Sequence, residues 1–103
     1  MKRRLVLRAR ADADIDAALR WYSKEAPEQV PKWLAALKKI LVSIEKSPSL
    51  GAPRDAHELD LPGLRSQMTK NFPYLVFYLE ESSKITVVRV LHVRRDIPDG
   101  LDP

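Results

Sequence analysis

The sequence contains no cysteine, which excludes a disulfide framework and any thiolate metal site. No apolar run approaches the roughly 20 residues that a bilayer-spanning helix requires. The N-terminus, MKRRLVLRARADAD, is basic, but its apolar stretch is only Leu5 to Leu7, too short for the core of a signal peptide. The expected location is therefore the cytoplasm, with no membrane partner. Internal repeats, low-complexity tracts and linkers are also missing. So is every standard catalytic signature: there is no glycine-rich phosphate loop, no histidine cluster at metal-ligand spacing and no nucleophile motif. Neither a metal nor a cofactor is expected.

What is present fits one folded domain over residues 1–103. The chain is 45% apolar and 31% charged, a balance typical of a globular rather than a disordered protein. A domain of this length buries roughly two thirds of its unfolded surface, which gives a real but thin core. The formal net charge is +4, and its distribution is uneven. Lys2, Arg3, Arg4, Arg8 and Arg10 crowd the first ten residues without an acid, whereas residues 11–28 carry five acids against two bases. Lys84 to Asp96 returns to four bases and one acid. If the first and last strands are neighbours, these charges merge into one basic face, suited to nucleic acid or an acidic protein segment. The plainer reading is solubility alone.

The apolar spacing supplies the elements. RLVLR, residues 4–8, reads as a short strand. From Asp12 the period changes: Ile15, Ala18, Leu19 and Tyr22 mark an amphipathic helix, with Asp12, Asp14 and Asp16 placed as cap and first-turn acids. After a break at Glu25–Pro27, Val30, Leu34, Leu37, Leu41 and Ile44 form a second stripe with Trp33 and Ile40 beside it. That helix must start near residue 28, because Pro27 and Pro31 are tolerated only where a backbone N–H has no intrahelical partner. The short link predicts an antiparallel helical hairpin. Residues 49–62 read as an irregular crossing loop that ends in a Pro62-Gly63 turn. Three strands follow, at residues 64–68, 74–79 and 85–91, the last two joined by a hairpin at EESSK. The order β-α-α-β-β-β predicts an α+β domain in which the hairpin covers one face of a mainly antiparallel sheet.

Several side chains stand out. His57 lies in the crossing loop beside Glu58, and a lone loop histidine is ordinarily a surface residue. Trp21 and Trp33 take core-flanking helix positions, where aromatic rings pack. The segment RVLHVRRD, residues 89–96, places a basic cluster at the end of the most apolar strand. Arg89 interrupts ITVVRVL, so it faces solvent on an open sheet surface or is paired if buried. Strand alternation places Arg89 with Leu91 on one face and Val88, Val90 and His92 on the other. An open face lined by Arg, Lys and Tyr would bind phosphates or an acidic peptide. Asp96 either joins that surface or locks the strand end by pairing with Arg94 or Arg95, an exposed pair worth about 0–1 kcal/mol.

Read together, ADADIDAALRWY, IEKSPSLGAPR, LPGLRS, YLVFYLEE and ITVVRVLHVRRDIPDGL resemble, in order and over nearly the whole chain, the ParE branch of the RelE/ParE toxin superfamily of type II toxin–antitoxin systems. The resemblance implies a plasmid-stabilisation-type toxin neutralised by a cognate antitoxin. The antitoxin's C-terminal segment wraps along helices and sheet, with Leu19, Tyr22, Trp33 and Leu37 as the implied contacts. Operator DNA would be bound only through the antitoxin. Two activities are implied. ParE-like members poison DNA gyrase, for which Arg65, Lys70, Arg89, Arg94 and Arg95 are the implied contact residues. RelE-like members cleave messenger RNA on the ribosome. Such a ribonuclease needs a proton acceptor and cations around the phosphate, and Arg65, His92, Arg94 and Arg95 would fill those roles here. The C-terminal tyrosine of that pattern is missing, since only IPDGLDP follows Asp96. Gyrase inhibition is the favoured reading, the ribonuclease is the enzymatic alternative, and a non-toxic basic binding module is the third.

Overall fold

The elements of the computed structural model, which describes residues 3–53 and 63–94, follow the expected order. Strand β1 (Arg4–Leu7) runs directly into helix α1 (Ala9–Glu25). Helix α2 (Val30–Lys46) follows a 3-10 turn over Pro27–Gln29, and a second 3-10 turn over Pro48–Leu50 leads to a two-residue strand β2 (Ala52–Pro53). Strands β3 (Leu64–Met68), β4 (Tyr74–Glu80) and β5 (Lys84–His92) complete one five-stranded sheet in the order β1-β5-β4-β3-β2. The sheet is mixed: β1 pairs with β5 in parallel and every other pair is antiparallel.

The first and last strands are therefore neighbours, with Leu5 opposite Ile85 and Leu7 opposite Val87. Outside the ladder, Arg3 donates to the Glu80 carboxylate at 2.6 Å and to the Glu81 carbonyl at 3.0 Å, fastening the chain start to the β4–β5 hairpin. The parallel register places Arg4 beside Lys84. Arg3, Arg4 and Lys84 thus gather at the opposite end of β5 from His92.

Helix α1 begins three residues before Asp12. The backbone N–H of Arg8 still donates to Val87 O at 3.0 Å, while the Arg8 carbonyl already accepts from Asp12 N at 3.0 Å. Strand passes into helix without a loop, so Arg8 takes the N-cap position with no side-chain cap, and Asp12 is the acid of the first turn. The buried stripe of α1 is Ala11, Ala18 and Tyr22, flanked by the half-buried Ile15 and Leu19. In α2 the buried residues are Trp33, Leu37 and Ile44. Leu37 and Ile44 hold the expected stripe, but at its N-terminal part the large Trp33 ring takes the core and Leu34 is left 43% exposed. Pro27 and Pro31 both stand in a first turn, where a missing N–H breaks no bond.

The helices cover one sheet face. Tyr74, Val76, Tyr78, Ile85, Val87 and Val90 meet Tyr22, Trp33, Leu37 and Ile44 in the main core. An aromatic nest fixes its centre: Trp33 stands 5.4 Å from Tyr74, and Tyr22 stands 5.9 Å from Phe72, both T-shaped. Trp21 flanks the nest: it stands edge-on to Tyr22 at 5.0 Å and keeps 44% of its surface exposed.

The other face is not an open surface of Arg, Lys and Tyr. Leu64, Leu75, Phe77, Val88 and Leu91 form a second buried cluster there, with Phe77 fully buried. Both strand tyrosines, Tyr74 and Tyr78, belong to the helix side. A β-bulge also corrects the expected alternation. Phe77 pairs with Arg89 but Tyr78 pairs with Val87, so Val88 has no partner across the strand. The extra residue moves Val88 to the cluster of Leu91 while Val90 points into the main core.

Candidate functional site

β1 ends opposite Val87, and beyond that point no strand among the described residues lies on the outer edge of β5. Asp14 fills the gap. From α1 its carboxylate accepts from the Val90 backbone N–H at 2.9 Å, from Arg89 Nε at 2.7 Å and from Arg89 Nη2 at 3.0 Å. A forked guanidinium on a carboxylate is a strong, directional pairing, and the backbone bond satisfies a donor that burial would otherwise strand. The two side chains are only 14% and 22% exposed. Asp14 therefore locks helix to strand and is not a first-turn dipole acid, and Arg89 is the paired arginine of the two alternatives. The sequence signal was the lone charge inside ITVVRVL; its partner, 75 residues away, carried none.

Arg65 is likewise engaged. From β3 its Nη1 donates to the carbonyl of Gly51 at 2.7 Å and, more weakly, to that of Ser49 at 3.4 Å. Beside it the Gln67 amide donates to Tyr78 Oη at 3.2 Å and to Ser47 O at 3.4 Å, and accepts from Ser43 Oγ at 3.2 Å. Tyr78 Oη in turn donates to the Pro48 carbonyl. Together these bonds anchor the end of α2 and β2 onto β3 and β4. Gly51 has no room for a side chain: a Cβ there would lie 2.0 Å from Tyr78 Oη.

The far end of the sheet is different. The turn from β3 to β4 is closed by Thr69 Oγ1, which donates to Phe72 O at 2.9 Å, and Asn71 takes a left-handed φ of 69° that its short polar side chain tolerates. Pro73 O accepts from Val93 N at 2.9 Å, which brings this turn alongside the end of β5. Lys70 and Arg94 are both exposed there, and no hydrogen bond or ion pair among the described residues engages either side chain. His92 sits edge-on to Tyr74 at 5.2 Å, and its Nδ1 accepts from the Arg94 backbone N–H at 3.1 Å. A neutral imidazole has a single acceptor nitrogen, and in His92 that nitrogen is occupied. His57, Arg95 and Asp96 lie outside the described residues.

Of the four helix residues implied as partner contacts, Tyr22 and Trp33 belong to the core, 7% and 0% exposed, because their rings build the aromatic nest. Leu37, also nearly buried, forms part of the floor of an apolar groove between α2 and β1 that Leu5, Leu34, Leu41 and Val42 also line. Leu34 and Val42 are its exposed apolar members, 43% and 42% accessible. Leu19 belongs to a separate shallow depression on α1 with Arg20 and Lys24. Among the described residues no group of acids and histidines is arranged to hold a metal ion, and no helix is long and apolar enough to cross a membrane.

Comparisons with known proteins agree with this architecture. Residues 5–97 match the family described as the ParE toxin of type II toxin-antitoxin system, parDE. A solved structure described as the chromosomal ParDE TA system from P. aeruginosa is similar in fold, with a TM-score of 0.71 and 21% identity over 88% of this chain and 96% of that one. No curated protein sequence matches.

Proposed function

This chain belongs to the ParE toxin family of type II toxin–antitoxin systems, and we propose that it arrests growth by poisoning DNA gyrase until a cognate antitoxin covers it. The observation that carries this reading over the ribonuclease is the state of the groups a nuclease would use. His92 Nδ1 is taken by a backbone N–H, and Arg65 is tethered through Nη1 to the Gly51 carbonyl. A general base needs an available lone pair within reach of the proton it removes. Of the described residues implied as gyrase contacts, Lys70 and Arg94 are the exposed ones, side by side at the end of β5. The antitoxin has an apolar seat in the groove between α2 and β1, where Leu34 and Val42 expose hydrophobic surface beside β1, the edge strand among the described residues. An extended segment adding to that edge would gain main-chain bonds as well as apolar burial.

The test is a supercoiling assay with gyrase from the host. Added protein should block supercoiling or trap cleaved DNA, and pre-incubation with the antitoxin encoded beside it should restore activity. Leu34→Glu should weaken that restoration by about tenfold or more, as expected for a charge forced into an apolar contact. Growth arrest with unaffected gyrase, or with messenger RNA cut at codon boundaries, would refute the proposal.

A further inference from the structure

A second cleft, of about 390 Å³, opens between α2 and the turn that joins β3 to β4. Lys32 and Lys39 line it from the helix and Lys70 from the turn, over a floor of Ala35, Ala36 and Phe72. All three lysines are exposed, no acidic side chain lines the cleft, and no ion pair among the described residues engages them. Three ammonium groups facing one space repel each other, and a bound polyanion relieves that repulsion. Lys32 and Lys39 are two helical turns apart on one face, about 10 Å along the axis. A DNA strand carries one charge per roughly 3.4 Å of duplex axis, so the pair brackets about three phosphates. The small alanines between them let a backbone approach closely.

We propose that this cleft holds the phosphodiester backbone of duplex DNA, so that the toxin itself touches DNA rather than reaching it only through the antitoxin. The lining favours duplex over single strands. Single-strand binders offer exposed aromatic faces for bases to stack on, whereas Phe72 is half-buried and held T-shaped against Tyr22 at 5.9 Å. The contact carries no sequence information, since lysine on phosphate positions without reading bases. The inference rests on the cleft and not on the gyrase reading, and its test contains no gyrase.

The experiment measures binding of the full-length protein to a fluorescent 20-base-pair duplex across a salt series. Replacing all three lysines with glutamine (K32Q, K39Q and K70Q together) should lower affinity about tenfold or more at low salt. It should also flatten the salt dependence by about 0.9 in log–log slope for each lysine removed. A control triple with the same charge change elsewhere, K24Q, K46Q and K84Q, should retain most of the binding. Equal loss in the two triples would reduce the effect to net charge and overturn the proposal, as would no loss in the first. Single-stranded RNA and a polyglutamate peptide serve as competitors. If either displaces the duplex at equal charge and loses affinity equally in the cleft triple, the assignment to DNA fails.

Discussion

Arg89 and Arg94 stand in the middle and just past the end of the same strand, yet they meet opposite fates. Arg89 is forked onto Asp14 and shares that carboxylate with the Val90 backbone. Arg94 projects from the sheet end beside the turn that carries Lys70. The same contrast separates Arg65, held on the Gly51 carbonyl, from Lys32, Lys39 and Lys70 around their cleft. A count of basic residues therefore overstates the charge that a partner can meet. What decides is whether a nearby backbone or carboxylate oxygen lacks a donor.

The contrast can be broken from the held side first. Asp14→Ala should cost about 3 kcal/mol, because it removes the carboxylate that accepts from both a guanidinium and a buried backbone N–H. A denaturant midpoint unchanged by that substitution would show that the lock contributes nothing. Arg65→Ala should cost less, about 1.5 kcal/mol, in line with a charged donor lost to a half-exposed site; urea unfolding measures it, and the loss should appear without any change in the paired register of β4 and β5. The presented side should behave in the reverse way. The double substitution Lys70→Gln and Arg94→Gln should change stability by no more than about 0.5 kcal/mol, as exposed replacements do. It should nevertheless weaken gyrase inhibition in a supercoiling assay. A folded double variant with full inhibitory strength would remove the functional half of the comparison.

The sheet was largely legible in the sequence. The β3 boundaries agree with the reading of residues 64–68, β4 differs from it by one residue at one end and β5 by one residue at each end, since β-branched and aromatic runs between turn residues leave little choice. Helix α1 was misplaced at its start because a strand that becomes a helix at Arg8 has no punctuating loop. β2 could not be seen, as two residues have no period. The open sheet face was inferred from Arg89, and it failed because the bulge at Val88 and the lock on Asp14 both depend on parts of the chain far apart in sequence. His92 was the most tempting base, but the bond to its own neighbour, Arg94 N, depends on how the chain leaves β5. The implied antitoxin contacts at Tyr22 and Trp33 treat an apolar helix stripe as available, whereas both rings pack against the sheet.

The pairing of β1 with β5 has a consequence for synthesis. Arg3 meets Glu81 across a separation of 78 residues, and the Asp14 lock spans nearly as far, so the decisive contacts are among the most distant the chain possesses. Contacts of that kind close late and slow the approach to the native state. A nascent chain still lacking β5 has no neighbour for its first strand and no anchor for its first helix. The fold therefore closes only once β5 has been made, and the first strand and the first helix both wait on that strand.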